Sequence, residues 1–165
     1  MTVIVLDQVT KIWAVSALSG QPSVRILGDF LMFTLVYNEG GAMGTRLGPS
    51  ASYMIMAFVV LPFLLYYIYR NRNDLMFSLP LSCIAGGAVG NLIDRIRFGK
   101  VIDFVDADFF DIHLLDFHMN RFWVFNVADA AISCSIVFLL VFLFWSHKRD
   151  KAGDISPQAP PEPPR

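Results

Sequence analysis

Two aspartates, Asp103 and Asp129, have the residue type and the placement to carry out chemistry. Asp103 follows the apolar segment 75–93, and Asp129 lies within a second one, 122–145. A carboxylate at membrane depth costs about 2.5–3.5 kcal/mol or more, so both are functional candidates. Two carboxylates held close together ionise unequally and titrate as a unit, which leaves one base and one proton donor. Such a pair predicts peptide hydrolysis by general acid–base catalysis, without a covalent intermediate.

Four apolar segments must position these residues, because the hydrophobic content is concentrated rather than evenly spread. The 165 residues are 55% hydrophobic and have a mean hydropathy of +0.53. Each segment approaches the roughly 20 residues that a membrane-spanning helix needs. The sequence therefore predicts an all-α membrane protein with four transmembrane helices, at about residues 1–18, 53–69, 75–93 and 122–145.

One domain and one tail account for the chain. Residues 1–147 are predicted to form a single membrane-embedded domain, and the proline-rich segment 148–165 a disordered cytoplasmic tail. The six residues before Asp7 are too few for the apolar core of a secretory signal peptide, so none is expected. A run of β-forming residues at 30–37 predicts a short strand or an interfacial segment.

The cations predict the orientation. The tight turn at 70–74 makes the second and third helices antiparallel neighbours, and it carries two arginines. More cations follow Trp145 on the same side, which places that side in the cytoplasm. The long intervals 19–52 and 97–121 then face outward.

Charge and cysteine usage argue against other classes. A net charge of −1 gives no basis for a nucleic-acid partner. Cys83 and Cys134 both lie in apolar segments, so free thiols are expected rather than a disulfide.

An acidic stretch after Gly99 raises the alternative of a metal site, since hard oxygen ligands bind divalent cations. Its two histidines lack the helical HExxH pattern. A solvated acidic loop is therefore favoured, and neither a metal nor a cofactor is predicted. The residues concerned are Asp103, Asp106, Asp108, Asp111, His113, Asp116 and His118.

Small and polar residues on the third helix could hold the pair in place. Gly86 and Gly90 are spaced so that another helix can approach closely. Gly87, Asn91, Asp94 and Arg95 fall on one polar stripe, which could support a site or could only join helices.

Asn126 precedes Asp129 by three residues, so the two share a helix face. A lone asparagine in such a helix is more often packing. Beside an aspartate, its amide can orient the carboxylate.

Two other classes also place carboxylates in membrane helices. An ion- or proton-coupled carrier would favour inverted repeats, and no repeat is visible. A metal-dependent transferase of lipid head groups would need a DGxxAR-type string, which this sequence does not contain.

Five strings, in order, resemble those of lipoprotein signal peptidase (signal peptidase II), the membrane aspartyl protease family of bacteria. Together they cover nearly the whole chain apart from the proline-rich tail. The strings are DQVTK at 7–11, NEGGA at 38–42, GGAVGNLIDR at 86–95, VIDF at 101–104 and FNVAD at 125–129.

The resemblance implies four transmembrane helices with both termini cytoplasmic, a small extracytoplasmic β-cradle and an interfacial helix. The implied site has Asp103 and Asp129 as the catalytic dyad. It also has lining or supporting residues, namely Asp7, Asn38, Gly87, Asn91, Arg95 and Asn126.

The implied substrate is a prolipoprotein whose lipobox cysteine already carries diacylglycerol, cleaved on the N-terminal side of that cysteine. The enzyme is expected as a monomer among the lipids of the bacterial cytoplasmic (inner) membrane. It would be multi-pass, with its active site near the extracytoplasmic face.

Three departures from the family pattern are visible. The stretch before Asp7 is shorter, so the first span is expected to be short. Gly41 and Met43 stand where alanine and phenylalanine are more common, within a glycine-rich interval, 40–48, that is a candidate lid. The segment 106–117 looks like an additional extracytoplasmic element.

Overall fold

The computed structural model describes residues 1–40, 48, 50–108, 112–114, 117–119 and 124–153. These described residues form four helices and five strands. In order they are α1 (Thr2–Leu18), β1 (Val24–Leu27), β2 (Leu31–Asn38), α2 (Ser50–Arg70), α3 (Leu75–Phe98), β3 (Val101–Ala107), β4 (Ile112–Leu114), β5 (Phe117–Met119) and α4 (Val127–Gly153).

Three of these helices are long and apolar enough to cross a membrane. They are α2, α3 and the part of α4 from Val127 to Ser146, with mean hydropathies of 2.0, 1.5 and 2.5. With 17 residues, α1 is shorter than these three helices and is not among the candidates. The predicted segments 53–69, 75–93 and 122–145 therefore coincide with candidate spans, whereas the predicted first span is not confirmed.

The central helix is α3, which packs against α2, α4 and α1. Glycines on α3 allow α1 to approach it closely. A Cβ on Gly86 would lie 3.1 Å from the Val3 side chain, and one on Gly90 would lie 2.5 Å from a carboxylate oxygen of Asp7. The predicted role of Gly86 and Gly90 in close helix packing is thus confirmed, with α1 as the partner.

A three-stranded antiparallel sheet, in the order β1–β2–β3, lies at one end of the helices. The predicted strand at 30–37 is confirmed as β2. Its register with β3 places Val36 opposite Asp103. An isolated bridge pairs Val105 of β3 with Phe125. It therefore holds the residues just before α4 against the sheet. The sheet packs on α1 through a small apolar core that includes Ala14, Leu18 and Phe104.

The turn from α3 into β3 fixes where Asp103 lies. Gly99 adopts a left-handed conformation with φ 73°, and its N–H donates to the carbonyl of Arg95. This geometry closes the helix, and it favours glycine because a Cβ is strained at that φ. Asp103 thus follows the end of α3 by one short turn.

Several predicted boundaries differ from the structure. The helix α4 begins at Val127 rather than at 122, and it continues to Gly153, past the predicted start of disorder at 148. Besides the four helices, the described residues contain no interfacial helix.

Two of the regions that depart from the family pattern are described in part. Of the predicted additional element at 106–117, the structure shows the end of β3 and the strand β4, which pairs antiparallel with β5. Gly41, Met43 and most of the candidate lid at 40–48 lie outside the described residues.

Candidate active site

Asp103 is held at the centre of the site by two asparagine amides. Its side chain is 1% exposed. Asn38 Nδ2 donates to Oδ2 over 2.9 Å, and Asn126 Nδ2 donates to Oδ1 over 2.7 Å. Both oxygens therefore have a donor, as a buried carboxylate requires.

The pKa of Asp103 is raised from 3.8 to about 6. Burial is the largest cause, followed by the charge of Asp129. The hydrogen bonds from Asn38 and Asn126 and the charge of Lys11 lower this pKa. Asp103 can therefore bind or release a proton close to neutral pH.

Asp129 lies in the first turn of α4 and is tied to the residue before that helix. Its N–H donates to Asn126 Oδ1 over 2.9 Å, and its carboxylate accepts from the Asn126 N–H over 3.4 Å. This reciprocal pairing is a capping box built from Asn and Asp. Asn91 Nδ2 donates to the other carboxylate oxygen over 2.8 Å, so the carboxylate is anchored from α3 as well.

Asn126 connects the two aspartates, because it donates through its side chain to one and through its backbone to the other. It does not lie within α4, as the sequence predicted, but directly precedes that helix. The structure thus brings Asp103 and Asp129 to opposite sides of one asparagine. Their catalytic roles remain a prediction.

Behind the asparagines lies a buried ion cluster centred on Lys11. Lys11 Nζ lies 2.9 Å from Asp7 Oδ2 and 2.8 Å from Asp94 Oδ2. It also donates to Asn91 Oδ1 over 2.9 Å. The three charged side chains are at most 2% exposed, so each needs the others to compensate its burial.

This cluster fastens the elements that carry the aspartates. Asp7 Oδ1 accepts the N–H of Ala128, in the first turn of α4, over 3.0 Å. Asp94 Oδ2 accepts the N–H of Ile102, beside Asp103 in β3, over 3.1 Å. The ions therefore fix the two backbones from which the dyad projects.

Sequence reasoning named Asp7 but missed Lys11, Gln8 and Asp94 as site residues. Gln8 Nε2 donates to both Asp7, over 3.2 Å, and Asp94, over 3.0 Å. A signal was present, because Asp7, Gln8 and Lys11 interrupt the first apolar segment and share one helix face.

Gly87 supports the site by its lack of a side chain. A Cβ there would lie 2.7 Å from the carbonyl oxygen of Ala128 and 2.8 Å from Ile132. The first turn of α4 can therefore rest directly on α3, which sets the distance between Asn91 and Asp129.

Arg95 lies beside the dyad and holds the chain at Gly40. Its Nη2 donates to the Gly40 carbonyl over 2.9 Å, and its guanidinium carbon lies 5.2 Å from the ring centroid of Tyr53. The charges of Asp129 and Asp103 both act on it. Its Nε is buried and has no hydrogen-bond partner among the described residues.

All eight residues that the sequence proposed for the site lie in this one region. Seven are joined by hydrogen bonds or ion pairs, and Gly87 contributes close packing. Among the described residues, no group of three or more His, Cys, Asp and Glu side chains is arranged to hold a metal ion. The side chains of His113 and His118 lie outside that description.

A multi-pass helical membrane protein with a buried carboxylate site is the class that this fold and geometry define. The chain matches the family described as Signal peptidase (SPase) II over residues 1–145. It therefore belongs to the signal peptidase II family, whose members are peptidases.

Individual relatives agree with this assignment. A lipoprotein signal peptidase of Halothermothrix orenii is 37% identical over 155 residues, which is 93% of this chain and 96% of that protein. One of Coxiella burnetii is 46% identical over 144 residues, covering 84% and 82% of the two chains. A solved bacterial membrane enzyme superposes with a TM-score of 0.73 at 26% identity, covering 96% of this chain and 90% of that one.

Proposed function

We propose that this protein is an intramembrane aspartyl endopeptidase that removes signal peptides from diacylglyceryl-modified prolipoproteins. Cleavage falls on the N-terminal side of the lipidated lipobox cysteine. The single observation that carries the proposal is the arrangement of Asp103 and Asp129 around Asn126, in a chain that belongs to the signal peptidase II family.

The mechanism follows from the unequal ionisation of the two carboxylates. One holds a proton and the other is charged, since like charges at close range do not both form cheaply. The charged member takes a proton from a water molecule, while the protonated member donates to the scissile carbonyl oxygen. A tetrahedral intermediate results. It collapses when a proton passes to the leaving nitrogen, and no bond to the protein forms.

The asparagines keep both carboxylates in position through this cycle. Asn38, Asn91 and Asn126 donate hydrogen bonds to them and carry no charge of their own. They therefore fix the geometry and partly stabilise the charge of Asp103, without neutralising it as a cation would. The proton can reside on either aspartate while these donors remain in place.

The arrangement of the helices supports entry of the substrate from the lipid. Among the helices, α2 packs mainly against α3, and the proposal has the substrate enter beside α3, between α2 and α4. A substrate with acyl chains can approach by this route while the chains stay in the bilayer. Arg95, whose Nε has no partner among the described residues, is placed to bind a carbonyl of the arriving peptide.

The topology belongs to the same proposal. Four crossings, with α1 as the first, would place both termini in the cytoplasm and the dyad near the extracytoplasmic face of the inner membrane. Apolar side chains on the outer face of α1 support this, with Val5, Val9 and Ile12 exposed by 55, 58 and 63%. Its charged residues face inward.

The test is cleavage of lipidated and unlipidated prolipoprotein by purified protein. Asp103→Asn and Asp129→Asn should each abolish cleavage of the lipidated substrate while the protein stays folded. Asp106→Asn is the matched control, because Asp106 is also buried on β3 but bonds to Thr34. It should retain activity. Turnover by either dyad variant, or equal rates on both substrates, would contradict the proposal.

Chelation separates this mechanism from metal-dependent chemistry. Cleavage should continue at the same rate in EDTA. A loss that an added divalent ion restores would favour a metal-dependent reaction instead.

A further inference from the structure

The backbone of Gly40 is held from both sides. Its N–H donates to Asn38 Oδ1 over 2.8 Å, and its carbonyl accepts from Arg95 Nη2 over 2.9 Å. Asn38 in turn donates to Asp103 through its Nδ2. A displacement of Gly40 would therefore reach Asp103 through one side chain.

Arg95 can hold Gly40 only if its guanidinium stays where it is, and Tyr53 is the side chain that the guanidinium lies against. The Tyr53 ring is 7% exposed and lies at the first turn of α2. A cation 5.2 Å from the ring centroid is within cation–π range. The face of the ring thus fixes one side of a charged group that would otherwise have several rotamers.

We propose that Tyr53 is a positioning residue for the peptidase reaction, acting on Asp103 through Arg95, Gly40 and Asn38. The four residues connect α2 to α3 and to the end of β2, so the first turn of α2 sets the geometry of a carboxylate on β3. The proposal rests on the proposed function for its catalytic consequence. Its structural part stands independently of catalysis.

The ring of Tyr53, rather than its hydroxyl, is the feature that acts on Arg95. Tyr53→Phe keeps the ring and should preserve the position of the guanidinium. Tyr53→Leu removes it and should release Arg95 from Gly40. Tyr53→Met gives the same test with a longer apolar side chain if the leucine variant does not fold.

Tyr69 offers a matched control on the same helix. It also carries a guanidinium over its ring, with Arg72 4.6 Å from the centroid, but it lies at the opposite end of α2. Tyr69→Leu therefore removes an equivalent contact far from the site.

The first measurement needs no activity. The sequence has two Gly–Gly pairs, 40–41 and 86–87. In protein labelled at glycine with ¹³C-carbonyl and ¹⁵N, a spectrum that correlates each amide with the preceding carbonyl gives a signal only where two glycines are adjacent. It therefore reports the carbonyls of Gly40 and Gly86 alone. The Gly40 signal should move in Tyr53→Leu and in Arg95→Lys, but not in Tyr53→Phe or Tyr69→Leu. Gly86 serves as the internal reference and should not move.

The second measurement is the rate of cleavage of lipidated prolipoprotein as a function of pH. Tyr53→Leu should lower kcat/KM by about threefold to thirtyfold, the range that loss of a cation–π contact supports. Tyr53→Phe and Tyr69→Leu should stay within about twofold of the wild type, as the same contact energies imply.

The pH profile distinguishes positioning from a general loss of structure. Asp103 is faced by Asp129 from α4, by Lys11 from α1 and by Arg95 from α3. The hydrogen bond from Asn38 lowers the Asp103 pKa, so its loss should raise that pKa and move the alkaline limb of the Tyr53→Leu profile to higher pH. A merely structural defect would lower the rate equally at every pH.

The outcomes separate the two proposals. A Gly40 signal that does not move in Tyr53→Leu, or an alkaline limb that does not shift, overturns the role of Tyr53 while the dyad proposal stands. Equal damage in Tyr53→Phe and Tyr53→Leu overturns the role of the ring. If the wild-type protein does not cleave lipidated prolipoprotein while the Gly40 signal responds as expected, the proposed function is overturned instead.

Discussion

Replacement of Lys11 by methionine tests whether the buried ion cluster holds the site together. Methionine has nearly the same length but no charge, so Asp7 and Asp94 would remain buried, at 0 and 1% exposure, without their shared cation. Removing one partner of a buried ion pair costs about 3–5 kcal/mol. The loss also releases Asn91, which takes a hydrogen bond from Lys11 Nζ over 2.9 Å and holds Asp129.

The expected magnitude is large enough to measure by thermal unfolding in detergent. One kcal/mol shifts Tm by about 2–4 °C in a chain of this size, so Lys11→Met should lower Tm by about 6–20 °C. Tryptophan fluorescence can follow the transition. Arg25→Met is the control, because the Arg25–Asp29 pair has the same i, i+4 spacing but is 71 and 73% exposed. Exposed pairs of this kind contribute about 0–1 kcal/mol.

A triple variant makes the reasoning refutable. Lys11→Met combined with Asp7→Asn and Asp94→Asn removes the uncompensated charges together with the cation. It should recover part of the lost Tm, because neutral groups cost less to bury than unpaired charges. A single variant as stable as Arg25→Met, or a triple variant less stable than the single one, would refute the account of the cluster.

Two further predictions concern Asp103 and Gly90. Cleavage should fall as pH rises through about 6, since the charge of Asp129 helps to raise the Asp103 pKa to about 6, so that Asp103 loses its proton and both carboxylates are charged above it; a rate that is flat from pH 4 to 8 would contradict this. Because the folded pKa of Asp103 lies above its unfolded value of 3.8, its ionisation favours unfolding. The contribution of Asp103 to the free energy of unfolding should therefore fall as pH rises from about 4 to about 6, a trend that Asp103→Asn should remove in denaturant titrations. Gly90→Ala should destabilise the protein by about 1–3 kcal/mol in thermal unfolding, as overpacking does, because the new Cβ would lie 2.5 Å from Asp7. Gly86→Ala, with 3.1 Å to the flexible Val3 side chain, should cost less, and the opposite order would contradict the packing described.

The sequence predicted the site better than it predicted its surroundings. Carboxylates and amides next to apolar segments are conspicuous, so Asp103, Asp129, Asn91 and Asn126 could be named from local pattern. Asn38 was named only through the family resemblance. The strand β2 was also visible in its β-forming residues. Which donor serves which oxygen depended on contacts between residues far apart in the chain, such as Asn91 and Asp129.

The parts that were missed have physical reasons. Lys11 and Asp94 looked like interruptions or stripe residues, because only the folded chain shows that one cation compensates two carboxylates. The start of α4 was placed five residues early, since apolar content continues to its N-terminal side while the capping box begins only at Asn126. The helix predicted at residues 1–18 is present as α1, but its crossing of the membrane stays a prediction, since its 17 residues are fewer than those of the three candidate spans.

The hydrogen bond from Ala128 to Asp7 spans 121 positions in the chain, and it has a consequence for the order of synthesis. The helix α1 is made first and α4 last, so Asp7 and Lys11 must wait for most of translation before their partner appears. The site cannot close until α4 has entered the membrane. A partly synthesised chain that lacks α4 should therefore be unable to form the proposed site.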